Sequence, residues 1–134
     1  MHALGWEDGE LVAHASVVQR RIVHAGRAWR GGYVEGVAVR ADRRGRGHGA
    51  AVMVVVEDVV RRAYDLGALA STDEARTFYE HRGWLPWLGP SSAITPTGLV
   101  RTSEEEDCLF VLPVTVRLNR TGELTCGWRD GDLW

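Results

Sequence analysis

The sequence predicts a mixed α/β fold in which helices are layered on a central sheet, and three observations support this prediction. The chain has 134 residues, of which 45% are hydrophobic, so it can bury one core and is too short for two ordinary domains. Its segments follow the order β-β-β-α-β-α-β-β, which is typical of a mixed layer fold. No internal repeat or low-complexity linker divides the chain. We therefore expect residues 1–134 to form a single domain.

Three strands are predicted before residue 40. Alternating apolar segments separated by turn residues are typical of strands. The segments run Met1–Trp6, Leu11–Ile22 and Trp29–Val39. The turns between them fall at Glu7–Glu10 and His24–Gly26. Gly36 interrupts the third segment, and a glycine inside a strand predicts a bulge or a close approach of another backbone.

The first helix is predicted to follow a segment dense in arginine and glycine, Arg40–Gly49. One face of this helix is apolar and the opposite face is charged. The apolar residues are Val52, Met53, Val56, Val59, Val60 and Ala63, and the charged ones are Glu57, Asp58, Arg61 and Arg62. The apolar run at 52–56 would suit a strand equally well, but the charged face favours the helix. Gly67 is the predicted helix stop.

The remaining elements are shorter. Gly67–Ala70 predicts a buried strand, and Ser71 with Glu74 three residues later matches a capping box at the start of a helix. That helix contains Tyr79 and ends at Gly83. Further strands are predicted over Trp84–Leu88, Cys108–Val116 and Glu123–Trp128, with a loop over Gly89–Ser103.

Charge narrows the possible chemistry. All sixteen basic residues are arginine, which excludes the lysine of a P-loop and a Schiff-base lysine. Residues 1–62 carry ten arginines against seven carboxylates, and residues 63–134 carry six against eleven. This asymmetry suggests two ligands of opposite sign, although charge also varies along any soluble chain.

Several other classes of protein and site are not expected. The chain has no run of eighteen apolar residues and no signal-peptide pattern at its start, so we expect a cytoplasmic protein without a membrane span. Two cysteines are too few for a disulfide scaffold. The five histidines lack metal-ligand spacing, so no metal site is expected. We also expect no nucleic-acid partner.

The strongest local signal is Arg-Gly-Arg-Gly-His-Gly at Arg44–Gly49, between a strand and a helix. Alternate glycines let main-chain N–H groups point into one concavity, and the helix adds its positive end. Together they predict an anion site suited to a pyrophosphate. A basic flexible surface loop is the alternative. A dinucleotide-binding fold is disfavoured because the chain has too few alternating strands and helices.

The strand with an embedded acid, the loop at Arg44–Gly49 and the downstream segment Tyr79–Trp84 together resemble the GNAT superfamily of acyl-CoA N-acyltransferases. Four longer segments narrow the resemblance to one family within this superfamily. They are Gly32–Asp42, Arg82–Trp87, Phe110–Pro113 and Trp128–Trp134. These segments resemble the aminoglycoside 2′-N-acetyltransferases of mycobacteria and their relatives, and the resemblance runs from Met1 to Trp134 without an obvious gap.

The resemblance implies transfer of the acetyl group of acetyl-CoA to the 2′-amine of an aminoglycoside by direct attack, which confers antibiotic resistance. It also implies the GNAT fold, whose mostly antiparallel twisted sheet is splayed at the cofactor cleft. Glu35 would act as the base through water, the N–H of Val37 as oxyanion donor and Tyr79 as general acid for the thiolate. The residues alone also allow an arginine-paired strand acid at Glu35 and a core tyrosine at Tyr79.

The resemblance assigns residues to two binding sites. The cofactor-binding residues are Val37, Ala38, Val39, Arg44, Gly45, Arg46, Gly47, His48 and Gly49. The acceptor-binding residues are Glu35, Gly36, Glu104, Glu105, Asp132 and Trp134, the last through its terminal carboxylate. An acidic site suits polycationic aminoglycosides. Without the resemblance, the acidic run at 104–107 would be a solvated loop.

The sequence also departs from the family. It lacks the usual N-terminal strand and two helices, and it has Ala70 and Glu105 where relatives tend to have serine and aspartate. We therefore expect a homodimer or larger self-associated form, with near-normal acetyl-CoA affinity and slow aminoglycoside turnover. Two alternatives remain. One is a CoA-binding remnant without a competent acceptor site, and the other is a GNAT enzyme for another small cationic amine.

Overall fold

A computed structural model describes residues 1–134, which form nine strands, two α-helices and three 3-10 turns. The strands are β1 His2–Glu7, β2 Glu10–His24, β3 Arg27–Val39, β4 Leu66–Ala70, β5 Leu85–Pro86, β6 Ser91–Thr95, β7 Gly98–Arg101, β8 Leu109–Pro113 and β9 Leu124–Cys126. The helices are α1 His48–Ala63 and α2 Arg76–His81, and the 3-10 turns are Ala41–Arg43, Asp73–Ala75 and Ser103–Glu105. The predicted mixed α/β class is confirmed. Neither helix combines the length and apolar content needed to cross a membrane.

All nine strands belong to one sheet. Its order is β5-β8-β4-β3-β2-β9-β6-β7, and β1 pairs separately with β2. Only the β3–β4 and β6–β9 pairs are parallel, so the predicted, mostly antiparallel sheet is confirmed. The β3–β4 pairing covers only Gly31–Tyr33 against Leu66–Ala68. Because β3 continues to Val39 beyond this pairing, the two strands leave an open cleft between them.

Two apolar clusters pack on opposite faces of the sheet, since successive strand residues such as Tyr33 and Val34 point to opposite sides and belong to different clusters. The first cluster joins α1 to the sheet through Val52, Met53, Val56 and Val60. The second includes Ile22, Tyr33, Trp87, Leu124, Cys126 and Trp134. The carboxyl-terminal residues therefore pack against the face that lies opposite α1.

Two predictions about α1 are wrong. The helix ends at Ala63, and Gly67 lies in β4, where an added Cβ would sit 2.8 Å from a ring carbon of Trp84. Glu57 was placed on the solvent face but is only 4% exposed. Its carboxylate accepts hydrogen bonds from Arg82 at 2.8 and 2.7 Å and from Trp84 Nε1 at 2.9 Å. A buried ion pair thus joins α1 to the end of α2.

Two predictions about the loops are also wrong. The hydroxyl of Ser71 donates to the carbonyl of Thr72 and caps no helix, and α2 begins only at Arg76 after a 3-10 turn. The predicted loop over Gly89–Ser103 contains the hairpin β6–β7, which turns at Pro96 and Thr97. Its two strands are short and lack an alternating pattern, and Pro90 before the hairpin and Pro96 in its turn favoured the loop prediction.

The last strands exist but are shorter than predicted. β5 is limited to Leu85–Pro86, and β9 to Leu124–Cys126. β8 ends at Pro113 because the next two residues, Val114 and Thr115, both donate their main-chain N–H to the carbonyl of Asp65, at 3.0 and 2.9 Å. The chain therefore turns out of the sheet at that point.

Candidate active site

A groove follows the gap between β3 and β4. Its larger part, about 620 Å³, is lined by Val37, Ala38, Val39, Arg44, Gly49, Thr72, Glu74, Ala75, Phe78 and Tyr79. A smaller part, about 220 Å³, shares four of these residues and extends to Glu35 and Gly36. The groove therefore connects the glycine-rich loop at one end to the acid of β3 at the other.

The glycine-rich loop leaves its main-chain donors free. Gly45 and Gly47 have φ angles of 76° and 82°, in the left-handed region that glycine adopts without strain. The main-chain N–H groups of residues 44–50 donate no hydrogen bond within the chain, and α1 begins at His48 without a side-chain cap. Free donors and the positive end of a helix dipole together form a site for phosphate groups.

The charged side chains of this loop divide into two groups. Glu7 of β1 pairs with Arg43 at 2.6 Å and Arg46 at 2.9 Å, and lies 3.4 Å from the ring of His48. The hydrogen bond from Arg46 is the main cause of a lowered pKa at Glu7. Arg44 has no carboxylate partner and lines the groove. The structure thus brings Arg44 and Gly49 to the groove lining, whereas Arg46 and His48 lie against Glu7, and they, Gly45 and Gly47 do not line it.

The bulge predicted at Gly36 is confirmed. The strand pairs change from His14 opposite Ala38 to Ser16 opposite Glu35, so β3 carries one residue more than β2 between them. Gly36 has a φ of 64°, which a residue with a side chain rarely adopts. The bulge lies where the two parts of the groove meet.

Glu35 is paired with an arginine in the free protein. Its carboxylate accepts a hydrogen bond from Arg129 at 2.8 Å, and its side chain is 37% exposed. The contact matches the arginine-paired alternative for this residue, but it does not bury Glu35, which also lines the groove. Glu35 can therefore meet a cation that enters from solvent.

Tyr79 lies where the two parts of the groove join. Its ring packs against Phe78, Trp84 and Phe110, and only 6% of the residue is exposed. Burial raises the pKa of its hydroxyl, so the group keeps its proton at neutral pH. Tyr79 is thus a core residue that also lines the groove, and its role as general acid stays a prediction.

The acidic residues assigned to the acceptor come from distant segments. Burial is the main cause of a raised pKa at Glu105, and the charges of Asp132 and Glu104 raise it further. Glu106, from the same acidic run, pairs with Arg101 at 2.7 Å. Apart from Glu35 and the terminus, the predicted carboxylates are Glu104, Glu105 and Asp132, and the first and last of these lie close enough to Glu105 to influence its pKa.

The carboxyl-terminal tail is fixed by a buried arginine. Arg20 is 7% exposed and donates to the carbonyls of Leu133 and, at 2.7 Å, Gly127. The indole of Trp134 is buried and donates to Thr102 Oγ1 at 3.0 Å. The tail that carries Arg129, Asp132 and the terminal carboxylate is therefore held on the sheet by side chains that precede it by more than thirty residues in sequence.

Sequence reasoning missed the residues that support the site from β2. Arg20 shares a strand face with Ser16 and Ile22, all three of them buried. A charged residue on the buried face of an alternating strand needs hydrogen-bonding partners. On that ground, the sequence could have predicted that Arg20 binds another segment of the chain. Arg129 carries no such local signal, because its partner Glu35 is remote in sequence.

Comparisons with known proteins agree with this geometry. Residues 2–86 match the family described as an acetyltransferase (GNAT) domain. The chain is 54% identical over 138 aligned residues to an aminoglycoside 2′-N-acetyltransferase of Mycolicibacterium fortuitum, and the match covers 100% of this chain and 71% of that protein. Identity at this level over the whole chain shows common family membership.

Solved structures give the same fold. A GCN5-related N-acetyltransferase from Kribbella flavida is 27% identical over 63% of this chain and 22% of its own, with a TM-score of 0.57. The Escherichia coli GNAT family N-acetyltransferase YhbS, solved in complex with CoA, is 13% identical with a TM-score of 0.63. That match covers 92% of this chain and 65% of YhbS, and it supports the fold alone. The chain belongs to the aminoglycoside 2′-N-acetyltransferase family within the GNAT superfamily.

Proposed function

We propose that this protein transfers the acetyl group of acetyl-CoA to the 2′-amine of aminoglycosides. The observation that carries the proposal is the continuous groove, which runs from the free N–H groups of residues 44–50 to Glu35 and Tyr79. The relative from Mycolicibacterium fortuitum, 54% identical, has this named activity. A cytoplasmic location fits the proposal because acetyl-CoA is made in the cytoplasm.

The loop and the adjacent strand would hold the co-substrate. The free N–H groups of 44–50 and the unpaired guanidinium of Arg44 suit the pyrophosphate. Arg46 adds positive charge beside the loop, although its ion pair with Glu7 offsets part of that charge, and His48 begins the helix whose free end faces the loop. The main chain of Val37, Ala38 and Val39 lines the groove and offers an extended edge to the pantetheine arm.

The chemistry requires a free amine, because an ammonium group has no lone pair with which to attack. Glu35 accepts that proton, through water, at the acceptor end of the groove. In the free protein Arg129 occupies one oxygen of Glu35, so a substrate ammonium group competes with Arg129 for this carboxylate. Glu35 therefore contributes both to binding of the cation and to removal of its proton.

Two further groups act as the amine attacks. The N–H of Val37 donates to the thioester oxygen as negative charge develops on it. A C–N bond forms, the C–S bond breaks, and the thiolate takes a proton from the hydroxyl of Tyr79, which is protonated at neutral pH because burial raises its pKa. The nitrogen loses a second proton as the amide forms, and this proton restores the hydroxyl of Tyr79, whereas the first leaves to solvent through Glu35. The products are CoA and the 2′-N-acetyl amide.

The acceptor contacts are the carboxylates grouped around the tail. Glu104 and Asp132 lie close enough to Glu105 to influence its pKa, and Gly36 lines the groove beside Glu35. The terminal carboxylate of Trp134 adds a further charge. Several carboxylates suit a substrate with several ammonium groups, since each salt bridge to solvent-exposed charge contributes little alone.

The test is an acetyl-CoA-dependent thiol-release assay with matched aminoglycosides that carry either an amine or a hydroxyl at the 2′ position. We expect release with the 2′-amino compounds only. Glu35→Gln should lower kcat by about a hundredfold or more without changing CoA affinity. Comparable turnover of 2′-hydroxyl compounds would contradict the regiochemistry. CoA binding without any turnover would favour the remnant, and turnover of an unrelated amine would favour the other GNAT alternative.

Self-association is the second part of this proposal. β1 pairs only with β2, so its outer edge is free, and Leu4 and Trp6 of this strand are 48% and 60% exposed. A free edge beside exposed apolar side chains favours pairing with another chain. Light scattering should report a dimer or larger species that Trp6→Glu dissociates. Leu88→Glu is the control and should leave the mass unchanged, because Leu88 is 60% exposed but lies outside the strands. A monomeric parent protein would contradict this part.

A further inference from the structure

Both carbonyl groups of the β3 bulge are held by side chains of the neighbouring strand. The hydroxyl of Ser16 donates to the carbonyl of Glu35 at 2.9 Å. The Nδ1 atom of His14 lies 2.7 Å from the carbonyl of Gly36, and its Nε2 lies 2.9 Å from Nδ1 of His2. Because a carbonyl only accepts, Nδ1 of His14 carries the hydrogen and donates it to Gly36.

These contacts replace support that the bulge removes. Between the pairs His14–Ala38 and Ser16–Glu35, two residues of β3 oppose a single residue of β2, so the regular ladder is interrupted there. Gly36 is in the left-handed conformation and has no Cβ to restrict rotation of the adjacent peptide units. A peptide unit next to such a glycine can rotate unless another group holds it.

The peptide held by His14 is the one that carries the proposed oxyanion donor. The carbonyl of Gly36 and the N–H of Val37 belong to one planar trans peptide, in which they point in opposite directions. Val37 lines both parts of the groove. Fixing the carbonyl toward His14 therefore fixes the direction of the Val37 N–H. The ring also packs closely, since a Cβ at Gly36 would lie 3.1 Å from Cε1 of His14.

We propose that His14 is a positioning residue that holds the Gly36–Val37 peptide so that the Val37 N–H points at the reacting thioester, with Ser16 holding the preceding peptide. The hydrogen bond to the carbonyl also polarises the N–H of the same peptide unit and makes it a better donor. The proposal rests on the proposed role of Val37. His2 supports the arrangement because it can either donate to or accept from Nε2 of His14, so the bond to Gly36 survives in both cases.

The test compares two residues of similar size at position 14. His14→Asn places an amide N–H near the position of Nδ1, whereas His14→Leu has no donor. We expect His14→Leu to lower kcat about tenfold to a hundredfold, with acetyl-CoA affinity changed less than about threefold, because only an interaction with the transition state is weakened. His14→Asn should keep kcat within about threefold of the parent. Equal kcat values for the parent and His14→Leu, or equal losses in both variants, would overturn the proposal.

A second measurement does not depend on the acceptor. The ¹⁵N–¹H signal of Val37 should move when acetyl-CoA is added to the parent and to His14→Asn, and should move less than about half as far in His14→Leu. The same displacement in all three proteins would overturn the positioning role, even if the protein acetylates no aminoglycoside. If the Val37 signals move as expected but no aminoglycoside is acetylated, only the proposed substrate is overturned.

Ser16→Ala tests the second side chain of the arrangement. It removes a single atom and should fold normally, and it is expected to lower kcat about threefold to tenfold. An unchanged kcat would overturn the role of Ser16 in holding the preceding peptide.

Discussion

The cofactor side and the acceptor side of the groove are built in different ways. The proposed cofactor side consists of Val37–Val39, Arg44–Gly49 and Tyr79. The proposed acceptor side consists of Glu35, which lines the groove, and of Glu104, Glu105, Asp132 and Trp134, which do not line it. On the first side, free main-chain N–H groups and a cleft between two strands form the site. On the second, carboxylates from two separate segments lie close enough to raise the pKa of Glu105, and a buried arginine fixes the tail that carries one of them, Asp132.

This difference determines how each side responds to substitution. A site formed by the main chain depends on the packing beneath it and on the space above it, and few surface substitutions disturb either. A site formed by side-chain charges depends on contacts between remote segments, which a single substitution can remove. We therefore expect the two sides to lose function separately, and four predictions test that expectation.

The largest effect is expected beneath the cofactor side. Glu57→Leu leaves the guanidinium of Arg82 and the indole N–H of Trp84 buried without their acceptor, which should reduce the free energy of unfolding by about 3–5 kcal/mol. Denaturant titration measures the loss. Asp58→Ala is the matched control, because Asp58 pairs with Arg62 at an exposed position and should change stability by less than about 0.5 kcal/mol. Equal effects of both variants would contradict the structural role of the buried pair.

The same residue shows where sequence reasoning reached its limit. The helix that contains Glu57 was predicted correctly from its apolar face, but a helical pattern cannot reveal that a charged residue has partners on another element. Arg82 and Trp84 follow it in sequence by more than twenty residues. The hairpin β6–β7 was missed for a similar reason, since its position depends on pairing with β9.

The two sides also differ in how far the sequence predicted them. The loop at Arg44–Gly49 and the bulge at Gly36 have local signatures, because glycine is required where φ is positive. The acidic residues were assigned only by family resemblance, since nothing near Glu105 or Asp132 in sequence indicates that they meet. Contacts such as Arg129 with Glu35 arise from the path of the whole chain.

The second effect tests the space above the cofactor side. A Cβ at Gly49 would lie 3.5 Å from Val39 Cγ2 and 3.7 Å from Phe78, in ordinary contact, so Gly49→Ala should bind acetyl-CoA nearly as well as the parent. Gly49→Leu fills the groove and should weaken binding by about a hundredfold, equivalent to about 2.7 kcal/mol. Calorimetry with CoA measures both, while aminoglycoside affinity should stay the same. A loss of affinity for both ligands would show that the two sides are coupled.

The third effect tests the support of the acceptor side. Arg20→Met removes the donors to the carbonyls of Leu133 and Gly127 and should free the tail that carries Asp132. We expect the aminoglycoside KM to rise about tenfold while CoA affinity stays unchanged. Arg21→Met is the control, because Arg21 is the exposed neighbour on the same strand. A similar rise in both variants would show that the loss of charge, and not the loss of the clamp, weakens binding.

The smallest effect is a proton released when a cation binds to the acceptor side. Burial and the charges of Asp132 and Glu104 raise the pKa of Glu105 above its ordinary value, so at a weakly acidic pH this carboxyl group keeps its proton more than an ordinary glutamate does. A bound ammonium group favours the carboxylate, lowers that pKa and expels a fraction of a proton. Aminoglycoside amines are fully protonated at this pH and do not contribute. Calorimetry in two buffers that differ in ionisation enthalpy measures the number of protons released. Aminoglycoside binding should release fewer protons in Glu105→Gln than in the parent. CoA binding is the control and should release the same number of protons in both proteins. Equal release on aminoglycoside binding would mean that Glu105 does not face the cation, and the acceptor side would then have to be assigned to the other carboxylates.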